Sequence, residues 1–95
     1  MVVSILHFTI DLPGIASLKE KRQILRSLKD RLQRKFKFSV AEIDLQDSLK
    51  FAQIGCALIS NSRQYGESVL HKALDFSENM VPGRIRDTEI FSEIY

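Results

Sequence analysis

The sequence predicts an α+β fold in which two strand–helix–strand units share one four-stranded antiparallel sheet. Three observations carry this. Apolar residues alternate with period two near the start of the chain and again in its middle. Two stretches with helical spacing follow the first and third of these runs. Breakers, Pro13–Gly14 and Pro82–Gly83, stand where a strand gives way to a helix and a helix to a strand.

From Val2 to Leu12 the even positions are apolar except Ser4, while the odd ones end in His7, Thr9 and Asp11. That is a strand with one face for a core. After Pro13–Gly14, Ser17 and Glu20 form an S-x-x-E capping box, so a helix is expected from about Leu18 to Arg34. Leu18, Leu25, Leu28 and Leu32, widened by Ile24, give it one apolar stripe. Phe36, Phe38 and Val40 alternate with Lys37, Ser39 and Ala41 and read as a second strand ending near Leu45. A third begins close to Leu49; its set Ala52, Ile54, Cys56 and Leu58 is wholly apolar and should face helices. Asn61 and Ser62 are cap-type residues. Tyr65, Val69, Ala73 and Phe76, with Leu70 and Leu74 beside them, outline a second helix to about Asn79. The run from Arg84 to Tyr95 alternates loosely and reads as an exposed strand. This β-α-β-β-α-β order is the ferredoxin-like pattern. It implies both helices on one face, the first and third strands in the centre, and an uncovered second face.

Ninety-five residues form one domain, residues 1–95, and 44% hydrophobic with 27% charged residues is ordinary for a folded protein. A single cysteine, Cys56, allows no internal disulfide and no Cys-rich metal site, which fits a reducing compartment. Met1 leads directly into a strand-like run without a basic region before it or a cleavage site after it. No apolar run approaches the ~20 residues of a membrane span. A cytoplasmic protein with no membrane partner is expected.

Charge is unevenly placed. The segment Lys19–Lys37 holds nine basic residues against two acids, net +7, whereas the rest holds five basic and ten acidic residues, net −5. Lys19, Lys21 and Arg22 lie where the helix has its positive pole and favours acids. On a helical wheel Lys21 falls inside the apolar stripe, Arg22 and Lys29 flank it, and Lys19, Arg26 and Arg34 point to solvent. One explanation is local: Lys21 snorkels past the stripe and Arg22 pairs with Glu42 or Asp87. The other is functional: Lys19, Arg22, Arg26, Lys29 and Arg34 contact nucleic-acid phosphate, with the helix-start amides forming an anion site near Lys19.

Enzyme signals are weak. His7 and His71 stand on different elements without a nucleophile or acid at triad spacing. No metal-ligand cluster, P-loop or G-x-G-x-x-G is present. D-L-P-G-I-A-S-L lacks the Gly-rich, Arg-containing phosphate loop of an acylphosphatase, and K-F-A-Q-I-G-C-A is not an RRM signature. The expectation is therefore no enzyme, no cofactor, no metal and no identifiable small-molecule substrate. Val3, Ile5 and Phe51, with Gly55 and Ala57, make the uncovered sheet face partly apolar. They are candidates for a homodimer interface, the alternative reading being a protein-interaction or regulatory module.

S-L-K-E-K-R with its basic helix, then F-K-F-S-V-A-E-I-D and I-G-C-A-L-I-S, resembles the YlxP-like family of small bacterial proteins over nearly the whole chain. The Trp associated with that family between Leu45 and Phe51 is missing, and the last strand matches loosely. The resemblance implies a ferredoxin-like fold and a bacterial cytosolic setting, with genes often beside those of translation initiation and ribosome maturation. It implies no activity. Basic helix and resemblance together make an RNA- or ribosome-associated binding protein the leading expectation, with ribosomal RNA as candidate partner.

Overall fold

A computed structural model describes all residues from Met1 to Tyr95. Its elements are β1 (Val2–Asp11), α1 (Leu18–Phe36), β2 (Ser39–Asp44), β3 (Phe51–Ser60), α2 (Arg63–Met80) and β4 (Arg84–Ile94). The strands form one antiparallel sheet in the order β2-β3-β1-β4. The fold is ferredoxin-like, with β1 and β3 central.

The alternation in β1 and β3 decides which face the helices cover. Leu6, Phe8, Ile10, Ala52, Ile54 and Cys56 are buried in one cluster with Leu25, Leu28 and Leu32 of α1 and Leu70 and Ala73 of α2. A fully buried Leu or Phe contributes roughly 1.5–3 kcal/mol, and an exposed cation in a first helical turn costs about 0.3–1 kcal/mol. The leucine stripe thus holds α1 in place despite its basic start. Half of the capping box forms as expected, Glu20 N donating to Ser17 Oγ at 3.1 Å; the Glu20 carboxylate reaches one residue further back than the motif requires and accepts from Ala16 N at 3.1 Å.

Three local expectations are corrected. Phe36 ends α1 instead of opening β2, because its ring stacks on Phe38 at 5.6 Å and meets Phe76 edge-on at 5.9 Å. Lys37, at φ 55°, then caps the helix in the left-handed region and donates its N–H to Gln33 O. The β3 strand starts at Phe51, two residues after Leu49. In α2 the buried stripe is Gly66, Leu70, Ala73 and Ser77, while Tyr65 is 60% exposed. The helix lies so close to β1 that a β-carbon at position 66 would collide with Ser4 Oγ. Glycine sets that rotation. Buried Ser77 returns its hydroxyl to Ala73 O at 2.8 Å, and Ser4 Oγ bonds Ser92 Oγ at 2.7 Å.

The loose alternation of β4 has a local cause. Its ladder with β1 shifts register between His7 and Thr9, where Asp87 takes a positive φ of 53° in a β-bulge. A second bulge inserts Ile43 between Glu42 and Asp44 of β2.

Candidate functional site

The five predicted phosphate-contacting residues all lie on α1. Lys19, Arg22, Arg26 and Arg34 are exposed and Lys29 is half-buried. None of the five is in an ion pair within the molecule. At about 100° per residue, Lys19, Arg22, Arg26 and Lys29 fall within an arc of roughly 80° and form one stripe. Arg34 is turned away from that stripe, beyond Asp30. It borders a shallow hollow shared with Gln23, Arg26, Ser27 and Arg31. Two further cations of the segment lean toward α2: Arg31 Nη1 reaches Met80 Sδ at 4.0 Å, and Lys35 Nζ stands 5.1 Å from the centre of the Phe76 ring. At the helix start, the Glu20 carboxylate accepts from Ala16 N just before the helix, so an anion drawn to the free amides there would meet a like charge nearby.

Lys21 differs from all of these. It is 1% exposed, and its ammonium donates to Leu45 O and Ser48 O at 2.6 Å and to Phe51 O at 2.8 Å. All three N–H donors are consumed. Glu42 lies 3.4 Å away, yet its buried Oε2 accepts no hydrogen bond. The carboxylate therefore acts as a countercharge alone. The expected pairing of Arg22 with Glu42 or Asp87 is corrected accordingly. Glu42 faces Lys21, and Asp87 is bound by Arg86, which also donates to Asp11 Oδ1 at 2.8 Å.

On the open face, Val3 and Ile5 of β1 stand opposite Ile59 and Ala57 of β3, and Phe51 stands opposite Asp11. Val3, Ile5 and Phe51 are half-buried; Ile59 is 66% exposed. Sequence reasoning missed Phe91, which faces Ile5 from β4, because the bulge obscured the alternation of that strand. A hollow of about 320 Å³ opens among Ile5, His7, Ala41, Ile43, Gly55 and Ala57. His7 Nε2 lies 3.6 Å from Glu89, and its ring meets Phe91 edge-on. Nowhere do three or more His, Cys, Asp or Glu side chains converge in a way that could hold a metal ion. No helix is long and apolar enough to cross a membrane.

Fold and sequence together define a ferredoxin-like domain of a known family. Residues 3–90 match the family described as "Protein of unknown function (DUF503)", and the chain belongs to it. It is 40% identical over 63 residues to the uncharacterized protein YlxP of Bacillus subtilis (strain 168), covering 66% of this chain and 68% of that protein. Among solved structures it is similar to a mutant form of SnoaB, a cofactor-independent oxygenase from Streptomyces nogalater. The TM-score is 0.53 at 9% identity, over 99% of this chain and 92% of that one. At that identity the likeness concerns fold. It nonetheless overturns the expectation that the chain is no enzyme. A protein of the same architecture performs oxygenation without a cofactor, so missing metal and nucleotide motifs do not exclude catalysis.

Proposed function

We propose that the chain binds RNA, as a ribosome-associated protein of the bacterial cytoplasm, through the basic face of α1. The carrying observation is the stripe of Lys19, Arg22, Arg26 and Lys29, whose cations have no acidic partner in the molecule. Cations aligned on one helix neutralise phosphates without reading bases, and the affinity they supply falls steeply with salt. Arg34, turned away from the stripe, adds a cation across the hollow it shares with Arg26. The test is RNA binding measured across a salt series for the wild type and the R26E/K29E variant. Reversal of these two charges weakens binding to unrelated RNAs alike and flattens the salt slope. Thermal stability changes by no more than about 0.5 kcal/mol, as for other surface substitutions. Wild-type affinity in the variant, or no salt-dependent binding by the wild type, removes this reading.

The open face supports a second reading, self-association through Val3, Ile5 and Phe51. Its apolar ladder has no helix over it, and apolar sheet faces of this kind mark interfaces. Introducing Glu at Ile5 or Phe51 reduces the mass in solution while the circular dichroism spectrum stays native. An unchanged mass ends the proposal.

A further inference from the structure

Three loops meet where β1 ends and β3 and β4 begin, and they border an open cleft of about 650 Å³. The chain has two prolines, each followed by glycine, and both pairs border this cleft: Pro13–Gly14 from the β1–α1 connection and Pro82–Gly83 from the α2–β4 turn. The third wall is Leu49–Phe51. The volume falls within the range of roughly 300–1,000 Å³ typical of small-molecule sites.

Each wall is held in place. Lys21 pins the third through the carbonyls of Leu45, Ser48 and Phe51. Ser48 Oγ accepts from the amides of Lys50 and Phe51, both at 3.2 Å, and Leu12 N donates to Lys50 O at 2.7 Å. The α2–β4 turn presses on the end of β1 so closely that a β-carbon at position 83 would collide with the Asp11 carbonyl oxygen. Burying an ammonium carries a desolvation cost, and a well-packed apolar side chain would attach α1 to the sheet equally well. What an apolar side chain cannot do is fix three carbonyls of one loop. The buried lysine is explained by the geometry of the loop, and that loop walls the cleft.

The charges select the ligand. Asp11 is committed to Arg86, whose guanidinium lies 5.2 Å from the centre of the Phe51 ring. Lys50 and Arg84 are exposed and in no ion pair. The remaining lining is apolar, from Leu12, Ile15, Leu49 and Phe51. A cation would be repelled, and a bare inorganic anion would leave the apolar walls wet. We infer that the cleft binds a small organic anion, its apolar body against Leu12, Ile15, Leu49 and Phe51 and its carboxylate, sulfonate or phosphate group on Lys50 and Arg84. This site is separate from the basic stripe of α1 and does not depend on the RNA reading.

The test uses anilinonaphthalene sulfonate and phenylnaphthylamine, which has the same rings without the sulfonate, followed by amide-resolved NMR on the intact chain. The sulfonate probe saturates at one site, shifts the amides of Gly14, Lys50, Gly83 and Arg84, and binds more tightly than the uncharged probe. The K50E/R84E variant, altered only at exposed positions, removes both charge-assisted contacts and weakens the sulfonate by at least about tenfold, the loss expected from even one of them. The uncharged probe is unaffected. Shifts spread over the open sheet face or along α1, equal affinity for the two probes, or an unchanged affinity in the variant would overturn the assignment.

Discussion

Lys21 and Arg22 are neighbours in sequence and opposites in surroundings. Lys21 is buried with every donor committed to the β2–β3 loop and a carboxylate beside it. Arg22 is exposed and in no ion pair. The same holds for the helix as a whole: its inner side uses one cation as a structural fastener, while the outer stripe of Lys19, Arg22, Arg26 and Lys29 carries cations in no ion pair within the molecule. The basic run near the start of α1 is therefore two features superposed, and only the outer one is available to a partner.

Breaking the inner feature should give the largest effect. Lys21→Met keeps the apolar stem but leaves the half-buried Glu42 carboxylate, whose Oε2 is shut off from solvent, without its countercharge and three carbonyls without their donor. Such losses cost about 3–5 kcal/mol, a large part of the roughly 5–15 kcal/mol that stabilises a domain. Urea denaturation measures it. Adding Glu42→Gln removes the stranded charge and should recover at least about 1 kcal/mol. A Lys21→Met variant within about 0.5 kcal/mol of wild type would mean that the ammonium fastens nothing.

This contrast also marks how far the sequence could be read. Its periodicities placed all six elements, since each strand or helix buries one face and the spacing records which. Lys21 stood out because a charge interrupted an apolar stripe. Its partners could not be found, because they are backbone carbonyls, which every residue carries, 24 to 30 positions away. The Phe36-Lys37-Phe38 alternation looked like a strand because period two over three residues also fits a helix end turned by one left-handed residue. The cleft was hidden for a related reason: its walls come from three separate loops, and only their Pro-Gly pairs are visible in the chain. The outer stripe was legible at Lys19, Arg22, Arg26 and Lys29. Arg34 was harder to place, since a helical wheel gives direction but not the hollow it borders with Asp30 and Arg31.

The sheet offers the same comparison at intermediate size. Cys56, on the helix-covered face of β3, is 2% exposed, and burial pushes its thiol up to about 12 from an ordinary 9.0. The native state thus keeps the proton that the unfolded chain releases above pH ~9. Stability from this group is intact below pH 9.0 and is lost between 9.0 and about 12, at up to about 1.4 kcal/mol per pH unit. Denaturation from pH 8 to 11 should show a decline that Cys56→Ala reduces. Native labelling by a thiol reagent at pH 8 should be slow and limited by opening. Rapid labelling would place the thiol on the open side.

The smallest expected change tests the outer feature most directly. Lys19 sits in the first turn of α1, where the helix dipole and unpaired amides disfavour a cation. Lys19→Glu reverses that conflict and brings a carboxylate three residues before Arg22, a spacing that favours pairing. It should therefore raise stability by about 0.3–1 kcal/mol at low salt, with the gain shrinking as salt screens it. If the stripe contacts phosphate, the same substitution must weaken RNA binding and lower the salt slope by about one counterion. A variant that is both more stable and a poorer binder would show that the cation is held against local preference for the sake of a ligand. A gain in stability with RNA affinity unchanged would leave Lys19 outside the binding surface. Loss of stability instead would mean that Lys19 has a structural partner, and the division of α1 into a fastened inside and a free outside would fail at its first turn.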